Sequence, residues 1–369
     1  MICRNNAKNN LKGTKDMINK PLIFREKYRG ERSNRLAAVF DITDNSVALV
    51  FYDLSLSRRY ARTVLFGERK GDITRGIAGL LGSSMQEYGI GAGAVEKVGF
   101  AASVALSVFI GETVTPMELY LRPETEIFVM PIISAAIGGR FTASLLTLPH
   151  SGLAADFGGR LCVGLLDKNV KCACFPLVGA FDGSAAESGV ICERGAIDEV
   201  RRDKDTLCYS VVSDAQSVGI APSALVQAAE LMIAEGIADT DGIMLDRDQF
   251  YIGEDFYITQ RDLRAVQTDK ARSAAAFELF LREAGGFRAA FLSGEPFARG
   301  AEAMISIGAV PRFDCKTGFC RNSSEQGLIM CAEDSRVLER AAALAENAED
   351  ITESLLEEHE QLYVEKLSF

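Results

Sequence analysis

VMPIISAAIGGRFTASLLTLPHSGLAADFGGRLCVGLL, running from Val129 to Leu166, is the stretch whose reading decides the fold. Its first part, Pro131 to Leu148, is rich in small residues and has helical apolar spacing, with Gly138-Gly139 inside it. A break follows at Pro149-His150-Ser151-Gly152. The second apolar run is cut by Asp156-Phe157-Gly158-Gly159 and reads as strand, tight turn, strand. Gly158 and Gly159 are read as supplying the positive φ that a two-residue hairpin turn needs. An acid at the mouth of such a turn aims a carboxylate at whatever the loop cradles. In nucleotide-binding folds that can be a magnesium-bound phosphate.

The same device occurs earlier. LAAVFDITDNSVALVFYDL, Leu36 to Leu54, is again an apolar strand, an Asp-led turn and a second apolar strand. Asp41 sits where Asp156 sits. Two such hairpins more than a hundred residues apart predict two similar lobes with a cleft between them. The alternative is two ordinary hairpins in unrelated sheets.

A chain of 369 residues can bury a large core, and two domains are the natural prior. Hydrophobic content of 48% with 25% charged residues is that of a soluble globular protein. No apolar run reaches transmembrane length, and residues 1–35 lack the apolar core of a signal peptide. The net charge of −11 argues against non-specific nucleic-acid binding. Nine cysteines without an export signal point to free thiols in a reducing, cytoplasmic setting. Residues 1–35 are basic and Asn-rich with few apolar residues, which reads as a disordered tail. Its alternative reading is a docking arm for an acidic partner. Glu333 to Glu360 is acidic, and Val337, Leu338, Ala341, Leu344 and Ala345 give it one amphipathic helical face.

Between these landmarks, Ile73 to Tyr88 predicts a helix, and Val95 to Ile110 a strand followed by part of a helix. Val178 to Val200 carries Gly179, Gly183, Gly189 and Gly195, and such loops let backbone N–H groups approach a phosphate. Ala224 to Ile237 predicts a helix entered through Pro222 and Ser223. Tyr257 to Gly286 holds the strongest helix signal, opened by a Thr259-x-x-Asp262 capping box and closed by Gly285-Gly286. Arg288 to Leu292 then predicts a short strand, and Ala301 to Ile307 a helix.

The order of these motifs is recognisable. VMPIISAAIGGRFTASLL, LAADFGGRLCVGLLD, GAFDGSAAESGVICERGAID, VGIAPSALVQAAELMIAEGIAD, YITQRDLRAVQTDKA, FLSGEPFARGAEAMISIGAVP and the closing RNSSEQG span roughly residues 36–369 in family order. The chain resembles the C-terminal nucleotide-binding region of the reductive activators of corrinoid-dependent enzymes. The resemblance implies an α/β, two-lobed actin-like ATPase (ASKHA, ribonuclease H-like) fold with a central cleft. On that basis residues 1–35 are expected to be the tail, 36–135 the first lobe, and 136–369 the second lobe with C-terminal helices. It also implies ATP and magnesium as ligands, with Asp41, Asp156, Gly158, Gly159, Gly183, Gly219, Ser223 and Gly294 around the phosphates.

Several loops depart from the family's pattern. Its first turn usually reads Asp-Ile-Gly-Thr-Thr, and here it is Asp41-Ile42-Thr43-Asp44-Asn45. The second turn loses its hydroxyl in Asp156-Phe157-Gly158-Gly159-Arg160-Leu161. A later glycine-rich loop has become Gly219-Ile220-Ala221-Pro222-Ser223-Ala224, where proline removes an N–H. Ser293-Gly294-Glu295-Pro296-Phe297 adds an acid, and Arg321-Asn322 replaces Gly-Asn before what is read as the last helix. Each lost donor to a charged acceptor is worth about 1–3 kcal/mol. Two or three such losses weaken binding by several decades. The expectation is therefore a nucleotide site of weak or no ATP affinity.

The resemblance implies a corrinoid protein, or a corrinoid-dependent methyltransferase component, as partner, and the charge and apolar runs point to neither nucleic acid nor membrane. Family members carry an N-terminal ferredoxin domain, whose Cys cluster is missing here: Cys3 stands alone in residues 1–161. No iron–sulfur cluster is expected, and a separate ferredoxin would have to supply electrons. One functional reading is a binding or regulatory relative that keeps the fold. The other is an active ATP-dependent activator that drives the partner's cobalt to its reduced state. A small-molecule kinase of the same superfamily is a third, with no substrate signature to single one out.

Other constellations carry less. Cys162, Cys172, Cys174 and Cys192 could meet around a metal, as could Cys315, Cys320 and Cys331, but buried free thiols are the commoner outcome, and no metal site is assigned. His150 and His359 lack a nucleophile pattern. Thr259, Gln260 and Asp262 read as a helix cap.

Overall fold

The computed structural model describes residues 22–67, 72–148 and 151–369. The basic segment 1–21 with Cys3, and the break at Pro149 and His150, lie outside the described residues. The chain opens with β1 (Leu22–Lys27), β2 (Leu36–Ile42), β3 (Ser46–Asp53), β4 (Arg58–Phe66), α1 (Ile73–Tyr88), β5 (Val95–Ala101), α2 (Val104–Thr113), β6 (Glu126–Val129) and α3 (Gly139–Leu146). It continues through β7 (Gly152–Phe157), β8 (Arg160–Leu166), β9 (Val170–Pro176), β10 (Ala196–Asp203), β11 (Thr206–Val211), β12 (Gly219–Ile220) and α4 (Pro222–Ala234). Next come β13 (Gln249–Ile252), β14 (Phe256–Thr259), α5 (Gln260–Ala284), β15 (Ala289–Gly294), α6 (Ala301–Ser306) and β16 (Lys316–Cys320). The chain ends with α7 (Ser323–Glu333), α8 (Ser335–Glu346), β17 (Ala348–Asp350) and α9 (Thr352–Glu365).

The two Asp-ended hairpins lie in separate six-stranded sheets, ordered β1-β4-β3-β2-β5-β6 and β16-β15-β7-β8-β9-β17. In each sheet the Asp-bearing strand pairs antiparallel with its hairpin partner and parallel with a later strand. β2 lies between β3 and β5, and β7 lies between β8 and β15. Both strands are buried along their whole length, which is why they read as unbroken apolar runs rather than as alternating ones.

α3 packs between the sheets. Ala143 and Leu146 join Ala37, Val39 and Leu328 against the first, while Phe141 and Leu145 join Ala154, Cys172 and Cys174 against the second. Its length is the main departure from expectation. Pro131 to Leu148 has helical spacing, yet only Gly139–Leu146 is helical. Ser134 Oγ accepts the N–H groups of Ala136 and Ile137 at 3.0 and 3.2 Å, so a side-chain turn competes with helix before Gly138.

The other differences are at the ends. β1, read as tail, is an edge strand on β4; Phe24 is buried, and the charged Arg25, Glu26 and Lys27 face outward. Such charges on an edge discourage pairing with other chains. The acidic C-terminal stretch is two helices, α8 and α9, separated by β17, which extends the second sheet beside β9. α5 matches its reading: Thr259 and Asp262 form the reciprocal capping box.

Phe157 closes the second hairpin's core, with ring centroids 5.2, 5.9 and 6.2 Å from Phe297, Phe181 and Phe277. Phe157→Ala is expected to cost about 3–5 kcal/mol in urea unfolding. A loss below about 1 kcal/mol would mean that this aromatic cluster does not fix the hairpin.

A candidate site between two aspartate hairpins

Asp41 and Asp156 are the next-to-last residues of β2 and β7, and both carboxylates are buried. Between them lies Arg140, from the first turn of α3. Its Nε donates to Asp41 Oδ1 at 2.9 Å, and its Nη1 donates to Asp156 Oδ2. Ser324 Oγ, at the start of α7, donates to the other Asp41 oxygen at 2.6 Å. The glycine pair before Arg140 explains its placement. A Cβ on Gly138 would lie 2.5 Å from the Ala102 carbonyl oxygen, and one on Gly139 would lie 2.4 Å from that of Met130. The start of α3 is thus pressed onto the end of the first sheet, and the Arg140 N–H donates to the Ala102 carbonyl.

The Asp156 turn is built around the same guanidinium. A Cβ on Gly158 would meet Arg140 Nη1 at 1.7 Å. Only Gly159 has positive φ, at +80°; Gly158 is needed for close approach rather than for conformation, which corrects the expectation for that turn. Burial pushes the Asp156 carboxyl up to about 6 even though Arg140 opposes the shift, with Asp41 adding to it. Burial disfavours the Arg140 charge, but Asp156 and Asp41 outweigh that and hold its pKa above the ordinary arginine value.

A second ion network lines the cleft. Arg62 of β4 pairs with Glu193 and, at 2.9 Å, with Glu325 of α7. Arg321 pairs with Glu193 and, at 3.0 Å, with Glu295, whose other oxygen accepts the Cys192 N–H at 2.6 Å. Burial works against the charge on Glu193, yet Arg62 and Arg321 hold it below the usual carboxylate range. Glu295 is therefore paired, not the bare repulsive charge expected from its position. Asp182 adds a third tie across the cleft: Asn45 of the first turn donates to it at 3.0 Å. Burial raises the Asp182 carboxyl. The cavity between these groups measures about 40 Å3, room for a few waters.

The candidate residues divide by position. Asp41, Gly158 and Gly294 line the cavity, beside Asp182, Glu295 and Arg321. Asp156 is joined to it through Arg140, and a Cβ on Gly159 would lie 3.3 Å from Asp182 Oδ2. Gly183 turns the chain directly after Asp182 with φ +81°, against Val190. Gly219 and Ser223 stand apart from the cavity wall: Gly219 is pressed on the Ser188 carbonyl, and Ser223 Oγ donates to the Asp198 carbonyl at 2.8 Å. The first N–H groups of the glycine-rich segment also have a protein acceptor. Val178, Gly179, Ala180 and Phe181 all donate to Asp269 of α5. Burial raises the Asp269 carboxyl to about 6 against those bonds. Cys162 and Cys174 touch, but no group of three potential metal ligands occurs among the described residues.

Sequence reasoning missed Arg140, Asp182, Arg62, Glu193 and Glu325. Arg140 had a signal. It is the one Asp, Glu, Lys or Arg between Glu126 and Asp156.

Two sheets of the same strand order, each presenting an aspartate to a shared cleft, define the actin-like ATPase fold. The model of the C-terminal domain of RACo, the ASKHA domain, matches residues 153–369. The chain belongs to that family of corrinoid reductive-activator domains. It is 29% identical over 187 residues to the corrinoid activation enzyme RamQ of Eubacterium limosum, a match covering 42% of this chain and 31% of that enzyme. The solved structure of a reductive activator for a corrinoid, iron–sulfur protein superposes with a TM-score of 0.80 at 17% identity, covering 92% of this chain and 67% of that one. No helix among the described residues is long and apolar enough to cross a membrane.

Arg140→Ala is expected to lower stability by about 3–5 kcal/mol at about pH 7, because it leaves Asp41 and Asp156 buried without their cation. The pH dependence has a definite sign. Asp156 titrates near 6 in the fold, above its ordinary value, so its contribution is most favourable in acid and is lost as pH rises through that value. Removing Arg140 pushes that carboxyl higher still. The stability gap between variant and parent should widen as pH rises from about 6 to about 8 in urea melts. A gap that stays flat over that range would reject the bridge as the source of the effect.

Proposed function

We propose that this chain is a corrinoid-activator ASKHA domain whose cleft is held by its own arginine rather than by nucleotide, and that it works by binding or regulating a corrinoid protein. The observation that carries this reading is the Arg140 bridge. A guanidinium stands between the two carboxylates that the family resemblance directs at a metal-bound phosphate. Three further features support it. The cavity of about 40 Å3 between the ion networks has room for only a few waters as the side chains stand. The N–H groups of Val178, Gly179, Ala180 and Phe181, at the start of the glycine-rich segment, are engaged by Asp269. Pro222 opens α4 without an N–H to offer. The residues as arranged do not fit ATP, so no chemical step is routed through it. A corrinoid protein or methyltransferase component is the proposed partner because the RamQ enzyme is a corrinoid activator.

A second reading has its own support. Asp41, Asp156, Gly158 and Gly294 all stand at the cleft, and Arg140 is a side chain that could swing aside. On that reading the chain is an ATP-dependent reductive activator that takes electrons from a separate ferredoxin.

Calorimetric titration of magnesium-ATP into the full chain separates the two. The expected result is no saturable heat at low-millimolar nucleotide and no rise in melting temperature. Saturable binding that disappears in the Asp41→Ala, Asp156→Ala double variant would restore the ATPase reading.

A further inference from the structure

A row of facing side chains crosses the second sheet. Cys174 of β9 faces Cys162 of β8, Cys162 faces Asp156 of β7, Asp156 faces Ser293 of β15, and Ser293 faces Cys320 of β16. The Sγ atoms of Cys162 and Cys174 are 2.7 Å apart, well inside the contact distance of two sulfurs. Directly opposed residues on antiparallel strands have Cβ atoms about 4.5–5.5 Å apart, and a disulfide takes Cβ atoms at about 3.5–4.5 Å. Closing the bond therefore needs little movement of either strand. Cys174 is fully buried and Cys162 is half-buried, so Cys162 is the more accessible thiol of the pair. Cys172 lies two residues from Cys174 on β9 but faces Gly164, which offers no side chain, and its Sγ rests on the Glu349 carbonyl.

We propose that Cys162 and Cys174 form a thiol–disulfide exchange site that takes a low-molecular-weight disulfide, such as oxidised glutathione, as its oxidant. The Cys162 sulfur attacks one sulfur of the reagent, its proton is lost, and the reagent's S–S bond breaks to release one thiol. The Cys174 sulfur then attacks the mixed disulfide at Cys162, loses its proton and releases the second thiol. One S–S bond forms in the chain and one breaks in the reagent. Two electrons pass from the cysteine pair to the reagent, which leaves as two thiols. A thiol-rich pool runs the steps backwards. The site sits one strand from the Asp156 carboxylate, so the crosslink would tie β8 to β9 directly beside the cleft bridge. Contact with Cys174, together with burial, raises the Cys162 thiol well above its usual value, so the exchange is slow.

The experiment uses the full chain, reduced, freed of reductant and incubated in its folded state with oxidised glutathione. The oxidised glutathione is then removed, remaining thiols are blocked with N-ethylmaleimide in denaturant, and the protein is digested with trypsin. Cleavage after Arg160, Lys168, Lys171 and Arg194 places Cys162 in one peptide and Cys172, Cys174 and Cys192 in another. The expected result is loss of N-ethylmaleimide labelling at Cys162 and Cys174, with a crosslinked peptide pair whose fragments assign the bond to those two. The crosslink should survive Cys172→Ser. In Cys174→Ser it should be replaced by a glutathione adduct that stays on Cys162. If Cys174→Ser does not fold, the fragment assignment in the unmodified chain decides alone. Full labelling of both cysteines after incubation, a bond to Cys172 or Cys192 instead, or a crosslink that forms only in urea would each overturn the proposal.

Discussion

Two buried carboxylates facing one another across a cleft set the terms for the rest of this molecule. The repeated topology delivers Asp41 and Asp156 to the same place, and neither can hold its charge there without a cation. Arg140 provides it. Its position depends on α3 being wedged between the sheets and on a glycine pair that lets the start of that helix touch the first sheet. An uncompensated buried charge costs several kcal/mol. The apolar packing of α3 and the ionic contacts of its first turn therefore stand or fall together. The network around Arg62, Glu193 and Arg321 follows the same logic: burial disfavours each charge, and each is held by more than one partner.

α5 organises the other side of the cleft. Its buried polar residues face loops. Asp262 completes the cap with Thr259 and also accepts the Glu187 N–H at 2.9 Å. Asp269 gathers four consecutive N–H groups, and Lys270 donates to the Lys366 and Ser368 carbonyls at the chain's end. The segment between Val178 and Glu187, which carries Asp182, is thus held at both ends from a single helix. This gives a physical reason for so many polar residues in the YITQRDLRAVQTDKA run: they supply the acceptors that an irregular buried loop lacks.

Much of the fold could be read from the sequence because its signals are local. The hairpins announce themselves through apolar runs around an acid-led turn, and α5 through a capping box and a terminal glycine pair. The site was legible only in part. Asp41, Asp156 and Gly158 could be singled out, since each sits in such a turn. Arg140 could not be assigned its role, because its two partners lie 99 and 16 residues away in opposite directions. Glu295 shows the same limit. Its charge is plain in the sequence, but its neutralisation by Arg321 depends on how β15 and β16 run side by side. The shortened α3 shows another. Apolar spacing records which residues are buried, and a single serine that captures its neighbours' N–H groups can override it.

The arginine in the cleft is covalently part of the chain, and that changes what can act on it. A bound metal or nucleotide answers to its free concentration, so chelation or depletion empties its site by mass action. A tethered guanidinium has no free pool to draw on. Emptying the gap between Asp41 and Asp156 means swinging that side chain away from both carboxylates. On the reading proposed above, a cleft closed in this way responds to whatever pulls its two halves apart.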